Sequence, residues 1–204
     1  MNMDMYHYAG LNPVKLVDPD GNYEKDVHFD LTYFLGIKAG LDSKTAYEIA
    51  QANQNVDDSS KTGPMPWQGG EKACRGYHFC TPERLAELKL QAENGGNNAK
   101  GTYLHAIQDS KYAHKPYIKN AHHIKDGRAP DKTYNDPKKA MKMALDTFET
   151  IKALTGTKGK LSAKDYEAIE AFNRATNESD KIKILENALG GKIPEYKKPK
   201  EKRE

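Results

Sequence analysis

Cysteine is scarce in this 204-residue chain: Cys74 and Cys80 are the only two. Two are too few to staple a small disulfide-rich fold. No run of about 18 apolar residues occurs, so a membrane-spanning helix is not expected. No basic-then-apolar segment opens the chain, so no signal peptide of its own is expected. Strand-like alternation is nearly missing after residue 25, and no internal repeat is found. An excess of one charge is missing too. The net charge is +3, and residues 191–204 account for all of it, with six Lys/Arg against three Glu. The neutral remainder does not suit a groove that tracks a phosphate backbone. The tail reads as a solvated, disordered end.

What is present is a polar chain, 30% charged and 37% hydrophobic, with enough apolar mass for one core. Helical spacing dominates from Asp26 onward. Val27, Leu31, Phe34 and Leu35 recur at helical intervals, and Gly40 closes that segment. Asp42 or Ser43 caps a second helix with Ala46, Ile49, Ala50 and Asn53 on one face. Residues 58–80, Gly- and Pro-containing and holding the only tryptophan, Trp67, read as a loop. Thr81-Pro82 starts a third helix that Gly95-Gly96 ends, and a fourth runs from about Asn98 to before Pro116. Residues 117–135 read as loop. Asp136-Pro137 opens a long helix to about Leu154, and weaker helical patterns cover 162–175 and 178–189. The expected architecture is all-α: one multi-helix domain over residues 24–190, preceded by an extended leader (1–23) and followed by the basic tail (191–204).

Six of the seven histidines fall between residues 28 and 123. The densest chemistry lies on the fourth helix. His105 and Asp109 are four residues apart, about 40° in projection and about 6 Å along the axis, so an imidazole and a carboxylate reach one cation. The same pair would equally serve as a surface ion pair. His114, nine residues after His105, lies about 180° round an unbroken helix and joins only if the helix ends first. His28 sits inside the first helix. Asp57 ends the second on its apolar side, where a carboxylate needs a partner. His78, His122, His123 and Asp131 lie in loops. Such His and Asp donors suit Zn²⁺, and also Mn²⁺ or Fe²⁺.

Other readings of these residues fail on spacing. His122-His123 suggests an HNH nuclease, but no histidine follows residue 123. Cys74, His78 and Cys80 give at most three zinc donors, and a disulfide or free thiols fit that pair better. The TGTKGK run at 155–160 lacks a P-loop frame.

Two resemblances add to this. Residues 6–21, YHYAGLNPVKLVDPDG, resemble the end of the core of Rhs/YD-repeat proteins. Pro13, Asp18, Pro19 and Gly21 match its P-x-x-x-x-D-P-x-G pattern; Asn22 stands where the family usually has Leu. That resemblance implies a β-shell carrier, a variable C-terminal toxin module, delivery into a target cell as part of a larger secreted protein, and a cognate immunity protein as partner. The body resembles zinc-dependent phospholipase C and S1/P1-type nucleases. LHAIQDSKYAHKPY looks like their His/Asp-bearing helix, and HHIKDGRAPDKTYNDPKKAMKMALDTF like the segment before their long C-terminal helix. This second resemblance implies an all-helical hydrolase holding one or two metal ions. Its ligands would be His28, Asp57, His105, Asp109, His114 and His123, with His78 and Asp131 secondary. Nothing matches the N-terminal tryptophan those enzymes use as a ligand. His105, Asp109 and Asp57 would carry catalysis, with a carboxylate orienting water or bridging metals. The expected substrate is a phosphodiester, phospholipid ahead of nucleic acid, and Arg75, Lys111, Lys115 and Arg128 could meet phosphate oxygens. A helical binding module holding a structural metal is the alternative.

Overall fold

A computed structural model of the protein describes residues 25–112 and 132–198, and all secondary structure among them is helical. Helix α1 begins as a π-helical segment, Asp26–Leu31, and continues as regular α-helix through Thr32–Ala39. It is followed by α2 (Ser43–Asp58) and by α3, a short turn of Gly70–Ala73 that opens into a second π-helical segment, Cys74–His78. Then come α4 (Pro82–Asn94), α5 (Asn97–Tyr112), α6 (Pro137–Thr155), α7 (Ala163–Arg174) and α8 (Glu178–Leu189).

Local chemistry explains the boundaries. Asp42 Oδ1 accepts from the backbone N–H groups of Lys44 and Thr45, both at 3.0 Å, and caps α2. Thr81 caps α4 with Pro82 in its first turn, and Asp136 caps α6 in the same way. Ser162 and Asp165 form a reciprocal capping box on α7. Gly40, at φ 100°, ends α1 in the left-handed region that a side chain would strain.

The core is built around α1 and α5. All six residues of Asp26–Leu31 are buried, as is every residue from Tyr103 to Asp109. Such helices have no solvent face and occupy the centre of the fold. Phe34, Leu35, Leu104, Met143, Ile169 and Phe172 are among the fully buried side chains of the main cluster. Helix α5 packs closely on α2 because Gly101 lacks a side chain. A Cβ there would lie 2.5 Å from both the Ala52 Cβ and the Ile49 carbonyl oxygen. This approach brings His105, one turn further along α5, against Asn53 of α2.

Two expectations need correction. Residues 58–80 are not all loop: α3 and its π-helical extension lie within them, hidden by glycines that read as breakers. The tail is not solvated from residue 191. Ile193 and Tyr196 pack on the apolar cluster of Phe29, Tyr33, Ala46 and Ala50, and Tyr196 Oη sits 2.8 Å from Asp58 Oδ2 and 2.9 Å from Asn55 Oδ1. Lys198 Nζ is 2.8 Å from Asp58 Oδ1. The leader at 1–23 lies outside the described residues, as do 199–204. No helix among the described residues is long and apolar enough to cross a membrane.

Candidate metal centre

Five of the sequence-derived candidates meet at one point. His28 comes from the π-helical start of α1, Asp57 from the last turn of α2, His78 from the end of the second π-helical segment, and His105 and Asp109 from α5. Both π-helical segments thus carry a site histidine, a placement such segments favour. His28, His78, His105 and Asp109 are fully buried, and the Asp57 side chain is 16% exposed. Asp57 is the edge of the cluster that meets solvent. His114, His123 and Asp131 lie outside the described residues.

Four donor atoms converge. His105 Nε2 is 2.9 Å from His78 Nδ1, and Asp109 Oδ2 is 3.0 Å from His78 Nδ1 and 3.1 Å from His105 Nε2. Asp57 Oδ1 completes the group at 3.7 Å from His78 Nδ1 and 3.6 Å from His105 Nε2. Tetrahedral zinc with ordinary bond lengths keeps its donors about 3.3 Å apart, and these separations bracket that value. The set could hold a metal ion. The other carboxylate oxygens face His28: its Nε2 lies 3.4 Å from Asp109 Oδ1 and 3.7 Å from Asp57 Oδ2. Each carboxylate therefore presents one oxygen to the His78–His105 side and the other to the His28 side. Asp109 Oδ1 is buried and accepts no hydrogen bond from any described residue.

The rings are oriented from behind. His78 Nε2 donates to the Thr62 carbonyl at 2.9 Å. His28 Nδ1 lies 2.9 Å from Gln108 Oε1, and His105 Nδ1 3.2 Å from Asn53 Oδ1. The two amides lock each other: Asn53 Nδ2 donates to Gln108 Oε1 at 2.9 Å and to Thr32 Oγ1 at 3.2 Å. Gln108 Nε2 donates to Thr32 Oγ1 at 3.2 Å and Thr147 Oγ1 at 3.3 Å. Both amide oxygens are thereby left as acceptors for imidazole N–H groups. All three rings then turn lone pairs inward, the tautomer that metal-binding histidines adopt when an acceptor holds the far nitrogen.

The protonation pattern follows from crowding two carboxylates with three imidazoles. Burial alone would lower His28, but the Asp109 and Asp57 carboxylates and Gln108 outweigh it and push it up to about 9. Burial likewise opposes a charge on His78, and Asp109, Asp57 and the Thr62 carbonyl win, raising it. His105 is lowered by burial and by the charge of His28 next to it, against the pull of Asp109 and Asp57. Asp109 is held well below the usual carboxylate range because His105 and His28 outweigh its burial. Without a cation, a proton on His28 offsets part of the carboxylate charge. A divalent ion supplies the same compensation.

Sequence reasoning ranked His78 as secondary, and the structure places it at the centre. Asn53 stood out only as a residue on an apolar face, and Gln108 not at all; its position next to Asp109 and one turn from His105 was the available signal. Cys74 and Cys80 are buried and not joined in a disulfide, the metal-holding group among the described residues includes neither, and burial pushes the Cys80 thiol up to about 11. Arg75 is exposed and paired with Glu71 at 2.8 Å rather than turned toward the cluster.

A family of unknown function, DUF6765, matches residues 23–81, a segment that contains His28, Asp57 and His78 and stops before α5. No curated protein matches the chain. No solved structure matches it either.

Proposed function

We propose that the chain is a zinc-dependent hydrolase of phosphodiester bonds, working as the toxin module of an Rhs-type protein. The observation that supports the hydrolase reading is the split of both carboxylates. Asp57 and Asp109 each offer one oxygen to His78 and His105 and one to His28, a layout suited to one or two cations. Divalent cations in such a site supply a water of lowered pKa and an electrophilic anchor for phosphate oxygens.

The chain's own residues have distinct parts. His28, His78, His105 and Asp109 form the buried wall, with Gln108, Thr62 and Asn53 holding the far ring nitrogens of His28, His78 and His105 in turn. Asp109, fully buried, holds the two halves together. Asp57, the ligand that meets solvent, would orient an attacking water or bridge two cations. The toxin assignment, the Rhs β-shell as carrier, delivery into a target cell and a cognate immunity protein as partner rest on the sequence of residues 6–21.

The alternative, a non-catalytic helical module with a structural metal, draws on the four-donor set of Asp57, His78, His105 and Asp109, which by itself would make a closed shell. The His28 side counts against it, because three donors there leave positions for water or substrate.

Incubating the protein plus Zn²⁺ or Mn²⁺ with phospholipid vesicles, plasmid DNA and total RNA in parallel tests the reading. Release of phosphorylated headgroup with intact nucleic acid supports a phospholipase. Cleaved nucleic acid with untouched lipid keeps the phosphodiesterase and changes its substrate. No turnover by metal-loaded protein leaves the structural-metal module.

A further inference from the structure

Trp67 is the only tryptophan in the chain, and it is 72% exposed. A single exposed apolar side chain is ordinary; what sets Trp67 apart is the amphipathic ring it presents and the ordered turn that carries it. The segment that carries it is firmly held. Its backbone folds on itself through Gln68 N–H to Met65 O at 2.8 Å and Gly69 N–H to Gly63 O at 3.0 Å. Thr62 Oγ1 donates to Val56 O at 2.8 Å, and the Gln68 side chain donates to the Asp57 carbonyl at 3.0 Å. Trp67 is thus presented beside the residue that fixes the backbone of Asp57, the metal-cluster ligand that meets solvent.

Residues 59–76 carry Lys61, Lys72 and Arg75, all exposed, against a single acid, Glu71. Asp57 and Asp58 precede the segment, and two of its nearby charges are paired, Asp58 with Lys198 and Arg75 with Glu71, each at 2.8 Å. Pro66, next to the tryptophan, is exposed as well. An exposed Trp on a hydrogen-bonded turn, in a segment that also exposes Lys61 and Lys72, matches what a lipid–water interface selects: an amphipathic ring at headgroup depth and cations beside anionic headgroups.

We propose that residues 59–75 form a membrane-contacting edge, in which Trp67 enters the interface of an anionic bilayer while Lys61 and Lys72 meet its headgroups. The assignment deepens the phospholipid side of the proposed function and rests on it: the same contact would set the Asp57 edge of the metal cluster toward the headgroup layer. Nucleic acid, the competing substrate, would instead use Trp67 to stack a base.

Because no other tryptophan is present, intrinsic fluorescence reports this residue alone. The full-length protein is mixed with vesicles of phosphatidylcholine, with vesicles containing phosphatidylglycerol as well, with anionic vesicles bearing brominated acyl chains, and with single-stranded DNA. Headgroup release is measured in the same samples. The expected result is a shift to shorter wavelength and bromine quenching on anionic vesicles, with about tenfold weaker vesicle binding, read by co-sedimentation, for Trp67→Ala and a similar loss for Lys61→Glu with Lys72→Glu. Quenching without headgroup release keeps the membrane edge and overturns the phospholipase reading. Headgroup release with unchanged Trp67 emission, and equal vesicle binding by Trp67→Ala, overturns the membrane edge and keeps the phospholipase. An emission change on DNA but not on vesicles overturns the membrane edge in favour of base stacking.

Discussion

His105 Nε2 and His78 Nδ1 face each other across 2.9 Å, while the far nitrogen of each ring is held by an oxygen of another residue, Asn53 Oδ1 for His105 and the Thr62 carbonyl for His78. Two inward lone pairs at that distance repel unless a cation or a proton lies between them. The metal assignment therefore depends as much on Asn53 as on the ligands. Asn53→Ala removes the acceptor behind His105 and the donor that orients Gln108. Metal affinity, measured by competition against a chromophoric chelator, is expected to fall about 10- to 100-fold.

Gly101 sets how closely α5 approaches α2. Gly101→Ala puts a Cβ 2.5 Å from Ala52 Cβ and 2.7 Å from the Asn53 backbone nitrogen, and the two helices have to part. Stability is expected to drop by about 1–3 kcal/mol in urea unfolding, and metal affinity to fall with it because His105 moves away from Asn53. Gly96→Ala is the control. A Cβ there meets nothing within 4 Å, and the change should stay within about 0.5 kcal/mol.

Much of this architecture was legible from the residues alone, and the failures share a cause. Thr81-Pro82, Asp136-Pro137 and Gly40 marked helix ends because capping chemistry is local. His105 and Asp109 stood out because regular α-helix carries them on one face. His78 did not, because it closes a π-helical turn behind several glycines, where a 3.6-residue period no longer indicates which way a side chain points. Asn53, Gln108, Thr32 and Thr147 form a buried polar layer, and polar residues read as surface unless their partners are known. Ile193 and Tyr196 were hidden by the lysines around them, although both pack on α1 and α2.

Asp30 gives a pH dependence separate from the metal. Burial pushes its carboxyl up to about 6, with Asp26 and Glu178 adding to the shift and Lys25 opposing it. The folded state therefore holds this proton more tightly than the unfolded chain. The associated stability is complete below about pH 4 and is lost as pH rises through about 6. Asp30→Asn should stabilise the protein by about 2–3 kcal/mol at pH 7.5 and by almost nothing near pH 4. Urea unfolding of parent and variant at the two pH values checks the sign.

The C-terminal segment acts as a clasp on α2. Tyr196→Phe keeps the ring against Phe29 and removes the hydroxyl contacts to Asp58 and Asn55. A loss of about 1 kcal/mol is expected. Deleting residues 191–204 removes Ile193 as well and uncovers the Phe29–Tyr33 cluster, and a larger loss should follow. Thermal unfolding of the two variants beside the parent separates the hydroxyl from the apolar contact.

Metal content tests the central claim most directly. Protein purified without chelator and measured by elemental analysis should carry about one to two equivalents of zinc or another divalent transition metal. His105→Ala and Asp109→Asn, checked for helicity by circular dichroism, should each lose most of it. Less than about half an equivalent in the parent, with no uptake when Zn²⁺ or Mn²⁺ is added, would contradict the metal centre formed by His28, Asp57, His78, His105 and Asp109.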